Sequence, residues 1–261
     1  MSSITPRQKD IVSIARAAGK VTVEDLSARF DVSPQTIRKD LNDLCDQRLL
    51  SRVHGGAVVA SGVENLAYEA RRFIATAEKA AIGAATAQLI PHGASLFVNI
   101  GTTTEEVARA LRDHEGLLVI TNNLHVATAL YPHPKIDVIV AGGPVRRSDG
   151  GVVGAAAVDL IGQFKVDFAV IGASAIDADG ALLDFDYQEV RVSQAIIENA
   201  RHVILVADSS KLSRSAPVRI GHVGAVHTLV TDHLPEGPLR EQCETAGIRI
   251  VETGPQPEDE R

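Results

Sequence analysis

Tryptophan is missing from this chain of 261 residues, methionine occurs once, cysteine twice, and aromatic residues make up 3%. The core must therefore be built from aliphatic side chains, and two cysteines cannot supply a disulfide framework. Neither Cys45 nor Cys243 sits in a metal-ligand spacing, so no metal is expected. Cys45, one residue after Leu44 and four after Leu41, is expected as a small buried hydrophobe. No run approaches the roughly 18 apolar residues that span a bilayer. Met1-Ser2-Ser3-Ile4-Thr5-Pro6 lacks the basic and apolar regions of a signal peptide. The expectation is a cytoplasmic protein with no membrane partner. The chain contains no GxGxxG and no GxxxxGK[ST], which removes dinucleotide and P-loop nucleotide binding and leaves no cofactor indicated.

What is present is a globular composition, 45% apolar and 23% charged, long enough for one ordinary core and a small accessory domain. The net charge of −7 hides an asymmetry. Residues 1–60 carry nine Lys/Arg against seven Asp/Glu, a net +2, and the remainder carries seventeen against twenty-six, a net −9. Only the first segment suits a polyanion, and the acidic remainder should be held away from it.

That first segment carries the most informative run, Ser33-Pro34-Gln35-Thr36-Ile37-Arg38-Lys39-Asp40-Leu41. Ser33 suits a helix cap and Pro34 the first helical position, while Ile37, Leu41 and Leu44 recur at i, i+4, i+7 and face a core. Gln35, Thr36, Arg38 and Lys39 then point outward. Gln and Arg can read base edges, Thr can contact base or phosphate, and Lys pairs with phosphate. A helix from Arg7 to Ala18 and a second opened by Thr22-Val23-Glu24-Asp25 precede it, with Asp31-Val32 as the turn. Leu49 to Val53 and Ala57 to Val59 follow as short strands about His54-Gly55-Gly56, which puts Arg52 and His54 on a wing. The sum is a winged helix-turn-helix over 1–59.

A linker is expected over 60–75, a long helical stretch from Tyr68 to Leu89, a sensing domain over 76–252 and a disordered tail over 253–261. From Ala94 onward, short β-branched runs alternate with helical stretches: Leu96–Ile100, Leu118–Thr121, Ile136–Ala141, Phe168–Gly172, Val203–Ala207, Thr228–Thr231 and Arg249–Val251. Continuous apolar strands separated by helices predict an α/β fold with a mostly parallel sheet covered on both faces.

Open parallel sheets bind ligands at the carboxyl ends of their strands. Gly101-Thr102-Thr103-Thr104 there offers close backbone approach, hydroxyls and a helix start, a cradle for phosphate. The plainer alternative is that Thr103 or Thr104 caps the helix. Asn122 and Asn123 can bond polyol hydroxyls or form an Asx-turn. Gly142 and Gly143 lie beside Arg146 and Arg147, and Lys211 closes Asp208-Ser209-Ser210-Lys211 as a phosphate partner or a solvated lysine. The acids of Asp177-Ala178-Asp179-Gly180 and Asp184 to Glu189 do not fit a calcium loop, whose Gly stands at the sixth position; an Asp-Gly turn and an acid-rich helix start account for them. Gly172-Ala173-Ser174-Ala175-Ile176 imitates a nucleophile elbow but ends in Ile where that motif needs Gly.

Thr22 to Gly56, with the Ser33–Leu41 run and Arg52-Val53-His54-Gly55-Gly56, resembles the winged domain of DeoR-type bacterial repressors. Residues 69–232, with Gly101-Thr102-Thr103, Thr121-Asn122-Asn123, Ala141-Gly142-Gly143, Asp149-Gly150-Gly151 and Asp208-Ser209-Ser210-Lys211, resemble that family's effector domain. The resemblance implies a sensing fold similar to ribose-5-phosphate isomerase and the coenzyme A transferases. It further implies double-stranded operator DNA near glycerol-catabolic genes as partner, a small phosphorylated metabolite, glycerol 3-phosphate first, as inducer, and a homo-oligomer, dimer or tetramer. The related isomerases use acids and a lysine after the strand that ends here at Gly172. This chain has Ser174 there and no lysine between Lys165 and Lys211, so binding without turnover is expected. An isomerase-like enzyme, which would turn over a pentose phosphate, and a repressor responding to another sugar phosphate are the alternatives.

Overall fold

The computed structural model describes residues 4–18, 20–47, 49–53, 56–59 and 68–254. Contacts divide the chain into two units, Met1–Ile74 and Ala75–Arg261. In the first, α1 (Pro6–Ala18), α2 (Val23–Phe30) and α3 (Pro34–Asp46) bury Ile11, Leu26, Ile37, Leu41 and Leu44 almost completely. Thr22 caps α2 by accepting from Asp25 N, and Asp31 turns the chain in the left-handed region at φ 50°. β2 (Leu50–Val53) and β3 (Gly56–Val59) form the wing hairpin, joined by β1 (Lys20–Thr22) in the order β1-β3-β2. β1 is three residues long and shows no alternation that reveals it in advance. A Cβ on Gly56 would stand 2.0 Å from Val21 O, so that close crossing requires glycine.

The helical stretch expected over Tyr68–Leu89 is two helices. α4 (Tyr68–Arg72) stops, Ala75 takes φ 50°, and α5 (Thr76–Gln88) starts afresh. A non-glycine residue in the left-handed region breaks the α-ladder there. The division between the units falls at the same point, so α4 belongs with the first unit.

The second unit is built on a seven-stranded sheet, every pair parallel, of β4 (Ser95–Val98), β5 (Leu117–Thr121), β6 (Ile136–Val140), β7 (Val166–Ile171), β10 (Ala200–Val206), β12 (Thr228–Thr231) and β13 (Arg249–Glu252), in the order β13-β12-β10-β7-β4-β5-β6. Alternate residues feed two cores. Leu96, Val98 and Val119 meet α5, α6 (Thr102–Ala110) and α7 (Leu124–Leu130) through Ile82, Val107 and Leu130. Phe97 and Ile120 meet α8 (Ala155–Ile161), α9 (Tyr187–Glu198) and α10 (Pro238–Thr245) through Ile161, Val192 and Cys243. Both faces are therefore covered, as continuous apolar strands require.

A second sheet lies outside the expectation: β8 (Ala175–Ile176), β9 (Ala181–Asp184) and β11 (Val218–His222), antiparallel in the order β11-β9-β8. The Asp177–Gly180 turn closes the β8–β9 hairpin, with Gly180 at φ 81°; the acid-rich helix start lies at α9, capped by Asp186, and the strand β9 intervenes. Ala-Leu-Leu is helix-forming by propensity, and pairing overrides it. Among the described residues no helix is long and apolar enough to cross a membrane.

α5 and α6 cross at Gly83, where a Cβ would lie 2.7 Å from Glu106 C. Gly83→Val should overpack this contact at about 1–3 kcal/mol. In thermal unfolding the second unit's Tm is expected to fall by about 2–12 °C; an unchanged Tm would mean that the helices separate freely.

Candidate functional site

α3 in the first unit is held from behind. Asp40, 5% exposed, accepts from Arg7 Nε at 2.6 Å and Gln8 Nε2 at 3.3 Å, and Gln8 also reaches Asp43. The Asp40 hydrogen bond raises the Arg7 pKa above its ordinary value. Ser33 caps α3, accepting from Thr36 N at 3.2 Å and bonding Thr36 Oγ1 at 2.9 Å. Gln35, Arg38 and Lys39 are exposed on the opposite face, with Thr36 half-buried and Arg38 Nη1 donating to Gln35 Oε1 at 3.4 Å. Arg52 lies on β2, and His54 falls outside the described residues. Cys45 is half-buried rather than buried, at the rim of this helix's apolar face.

In the second unit the chain leaves β4 toward β5 and β6 on one side, and β7 leads to β10, β12 and β13 on the other. The order reverses between β4 and β7, and a crevice opens at such a point beyond the strands' carboxyl ends. Three strand ends meet there: a Cβ on Gly172 would lie 3.9 Å from each of Ile100 O, Thr104 Cγ2 and Val206 O. α6 starts at Thr102, two or three residues earlier than a cap at Thr103 or Thr104 would place it. Gly101 is the N-cap at φ 149°, with no side-chain cap. Thr104 Oγ1 instead donates back to Asn99 O and Gly101 O at 2.7 and 2.8 Å. The amides of the first turn, Thr102 to Thr104, thus have no intrahelical acceptor, and they carry the positive end of the helix dipole. Buried Glu105 is bridged by Asn123 Nδ2 at 3.4 Å and faces Arg109 at 3.7 Å, which offsets its charge.

Lys211 is buried, 7% exposed, on the turn after β10, and not the solvated lysine that a bare sequence allows. Lys79, 2% exposed in the first turn of α5, acts on the same carboxylate as Lys211, that of Asp208. Burial pushes the Asp208 carboxyl up, but Lys211 and Lys79, the Ser210 hydroxyl and Arg214 outweigh it and hold the group below the ordinary carboxylate range. Two buried lysines about one carboxylate leave this end of the crevice positive. Lys79 was legible in principle: it shares the spacing of Ile82, Gly83, Thr86 and Ala87, the buried face of α5, and a lysine in such a stripe asks for a partner.

The β5 and β6 ends differ. Asn123 Oδ1 caps α7, accepting from His125 N at 2.9 Å and Val126 N at 3.4 Å, so the Asx-turn accounts for that oxygen. Gly142 and Gly143 are exposed and begin a strap, residues 142–153, that folds back over the strand ends. Val152 N donates to Asn122 O at 2.7 Å, and Asn122 Nδ2 donates to Val152 O at 3.2 Å. Arg146 pins the strap. It donates to Asp149 at 2.9 and 2.6 Å, to Asp186 Oδ2 at 2.8 Å and to Glu189. Burial lowers the Arg146 pKa, but Asp149 and Glu189 more than restore it. Three carboxylates about one guanidinium make this end of the crevice negative. Among the described residues Asn122 Oδ1 and Asp208 Oδ2 are buried acceptors with no donor, each costing about 1–3 kcal/mol. Ser174 Oγ is committed to Asp184 Oδ2 at 3.0 Å.

Residues 7–63 match the DeoR-like helix-turn-helix domain and residues 74–233 the DeoR C terminal sensor domain. The chain belongs to the DeoR family. It is similar to the Glycerol-3-phosphate regulon repressor of Escherichia coli (strain K12), 47% identical over 231 residues, covering 88% of this chain and 92% of that one. The protein of the same name from Haemophilus influenzae is 48% identical, covering 88% of this chain and 90% of that one. With a DeoR-type DNA-binding domain and relatives that are named repressors, this DeoR-family chain is a regulator and not an enzyme. A ribose 5-phosphate isomerase from Methanocaldococcus jannaschii aligns with 53% of the chain and 55% of its own at TM-score 0.40 and 15% identity, and no residue is carried across from it.

Proposed function

We propose that this DeoR-family regulator represses a glycerol-catabolic regulon. The first unit docks α3 in the major groove of operator DNA, and glycerol 3-phosphate in the crevice of the second releases it. The observation that carries the reading is the polarity of the crevice. Uncapped amides of α6 and two buried lysines gather at the β4, β7 and β10 ends, where a phosphate is stabilised. Carboxylates gather at the far end, which an anion avoids and a hydroxylated tail tolerates. The name of these relatives fits a phosphate ester of a polyol.

Release requires the ligand to bind the DNA-incompetent arrangement more tightly than the competent one; equal affinity shifts nothing. A homo-oligomer that matches a two-fold operator, acting in the cytoplasm beside its DNA, is part of the same reading. The full chain should gain thermal stability with glycerol 3-phosphate, about 2.7 kcal/mol at a hundredfold its dissociation constant, and none with glycerol alone. Equal stabilisation by glycerol would remove the phosphate from the reading.

For the DNA-reading face, Arg38→Ala should cost about 1–3 kcal/mol and relax base preference. Lys39→Ala should weaken binding alike on all sequences and flatten the salt dependence. Competition gel shifts at fixed salt separate the two; unaltered preference and affinity in both variants would place recognition elsewhere.

A further inference from the structure

We infer that Asn122 Oδ1 is the acceptor that distinguishes a hydroxylated phosphate ester from bare phosphate, and that Arg146 is the positioning residue that aims it. The inference rests on the phosphate reading of the crevice and adds which atom sets specificity. Asn122 is fully buried at the end of β5, with its amide orientation fixed: Nδ2 is spent on Val152 O, and the flipped amide would set two oxygens face to face. The oxygen is therefore turned from Val152 O and, among the described residues, receives no donor. The fully ionised phosphate group of an ester carries no O–H to supply one. A hydroxyl can, and a site built to bond a hydroxyl rejects the analogue lacking it, because the buried acceptor is then left unpaired.

The strap that holds the amide has little freedom. Arg146 N and Gly150 N close its turn on Gly151 O and Arg146 O. Gly151 packs so closely on Ile100 that a Cβ would lie 2.5 Å from Ile100 Cδ1. The guanidinium of Arg146 joins this turn, through Asp149, to Asp186 and Glu189 at the start of α9. Moving Arg146 moves Val152 and with it the amide. Because Asn122 is shut off from solvent here, a hydroxyl reaches it together with a shift of the strap. Ligand entry and strap movement are then one event, the kind of coupling that gives a ligand different affinities for two arrangements.

Calorimetry on the full chain with glycerol 3-phosphate, its two monodeoxy analogues and inorganic phosphate tests this. Wild type should bind at least one monodeoxy analogue about tenfold or more weakly than the parent. Asn122→Ala should bind the two alike while keeping wild-type affinity for inorganic phosphate. Arg146→Lys should lower the parent-to-analogue ratio with inorganic phosphate affinity unchanged, whereas a merely structural Arg146 would lower all affinities together. A wild type indifferent to both missing hydroxyls, or an Asn122→Ala variant that keeps the ratio, overturns the assignment while phosphate binding stands. Failure of wild type to bind either the ester or inorganic phosphate overturns the crevice reading itself, and the assignment with it.

Discussion

Arg146→Met should destabilise the second unit by about 3–5 kcal/mol, because it removes the guanidinium that bridges Asp149, Asp186 and Glu189 in a largely buried cluster. Side chains of Asp149 and Glu189 are only 2% and 10% exposed, so water cannot take over. At roughly 2–4 °C per kcal/mol for a domain of this size, Tm should drop by about 6–20 °C. The loss carries a pH signature. Burial pushes the Asp186 carboxyl up, yet the Glu189 and Gln188 amides and Arg146 hold it below the ordinary range. A carboxyl depressed in the folded state contributes stability above its unfolded pKa of about 4, and that contribution is lost as pH falls through the folded value. The gap between wild type and Arg146→Met should thus be widest near neutrality and narrow below about pH 4. Denaturant unfolding at both pH values reads it, and a gap that is absent at neutral pH would show the cluster to be ornamental.

Lys211→Met is expected to leave a repressor that grips DNA and lets go only at much higher ligand concentration. The variant keeps the apolar stem and removes one charge from a buried cluster, so a charge-assisted hydrogen bond of about 1.5–3 kcal/mol to phosphate is lost. The glycerol 3-phosphate needed for release should rise by roughly 10- to 150-fold. Operator affinity without ligand should stay within about twofold, because α3 belongs to a different unit. With Lys211 gone, Asp208 also loses the first of the charges that hold its carboxyl down. A Lys211→Met protein released at the wild-type ligand concentration would exclude Lys211 from the phosphate site.

Much of the architecture was legible because it is local. Ser33, Pro34 and the Ile37, Leu41, Leu44 stripe determine α3 without reference to the rest of the chain, and apolar runs mark the seven parallel strands to within a few residues. β8 and β9 were not legible, since two residues of strand and an Ala-Leu-Leu-Asp segment acquire their state only by pairing. The break at Ala75 was hidden for a related reason: an alanine-rich stretch is helical by propensity, and a single left-handed residue is set by context. In the crevice, sequence pointed to loops but not to the division of charge between them. Arg146 and Arg147 read as two cations beside a glycine pair, while in the fold Arg146 is surrounded by three acids, one from its own turn and two from the distant start of α9. Lys79 lies far from Lys211 in sequence, and only the packing of α5 on the sheet brings it to Asp208.

Fluorescence anisotropy on a labelled operator, with the full chain bound and glycerol 3-phosphate or glycerol titrated in at fixed salt, tests the division between a DNA-gripping unit and a phosphate-sensing one most directly. Release by the phosphate ester, at concentrations where glycerol leaves the complex intact, is the predicted result. Release by glycerol at equal concentration, or a complex indifferent to both, would contradict it.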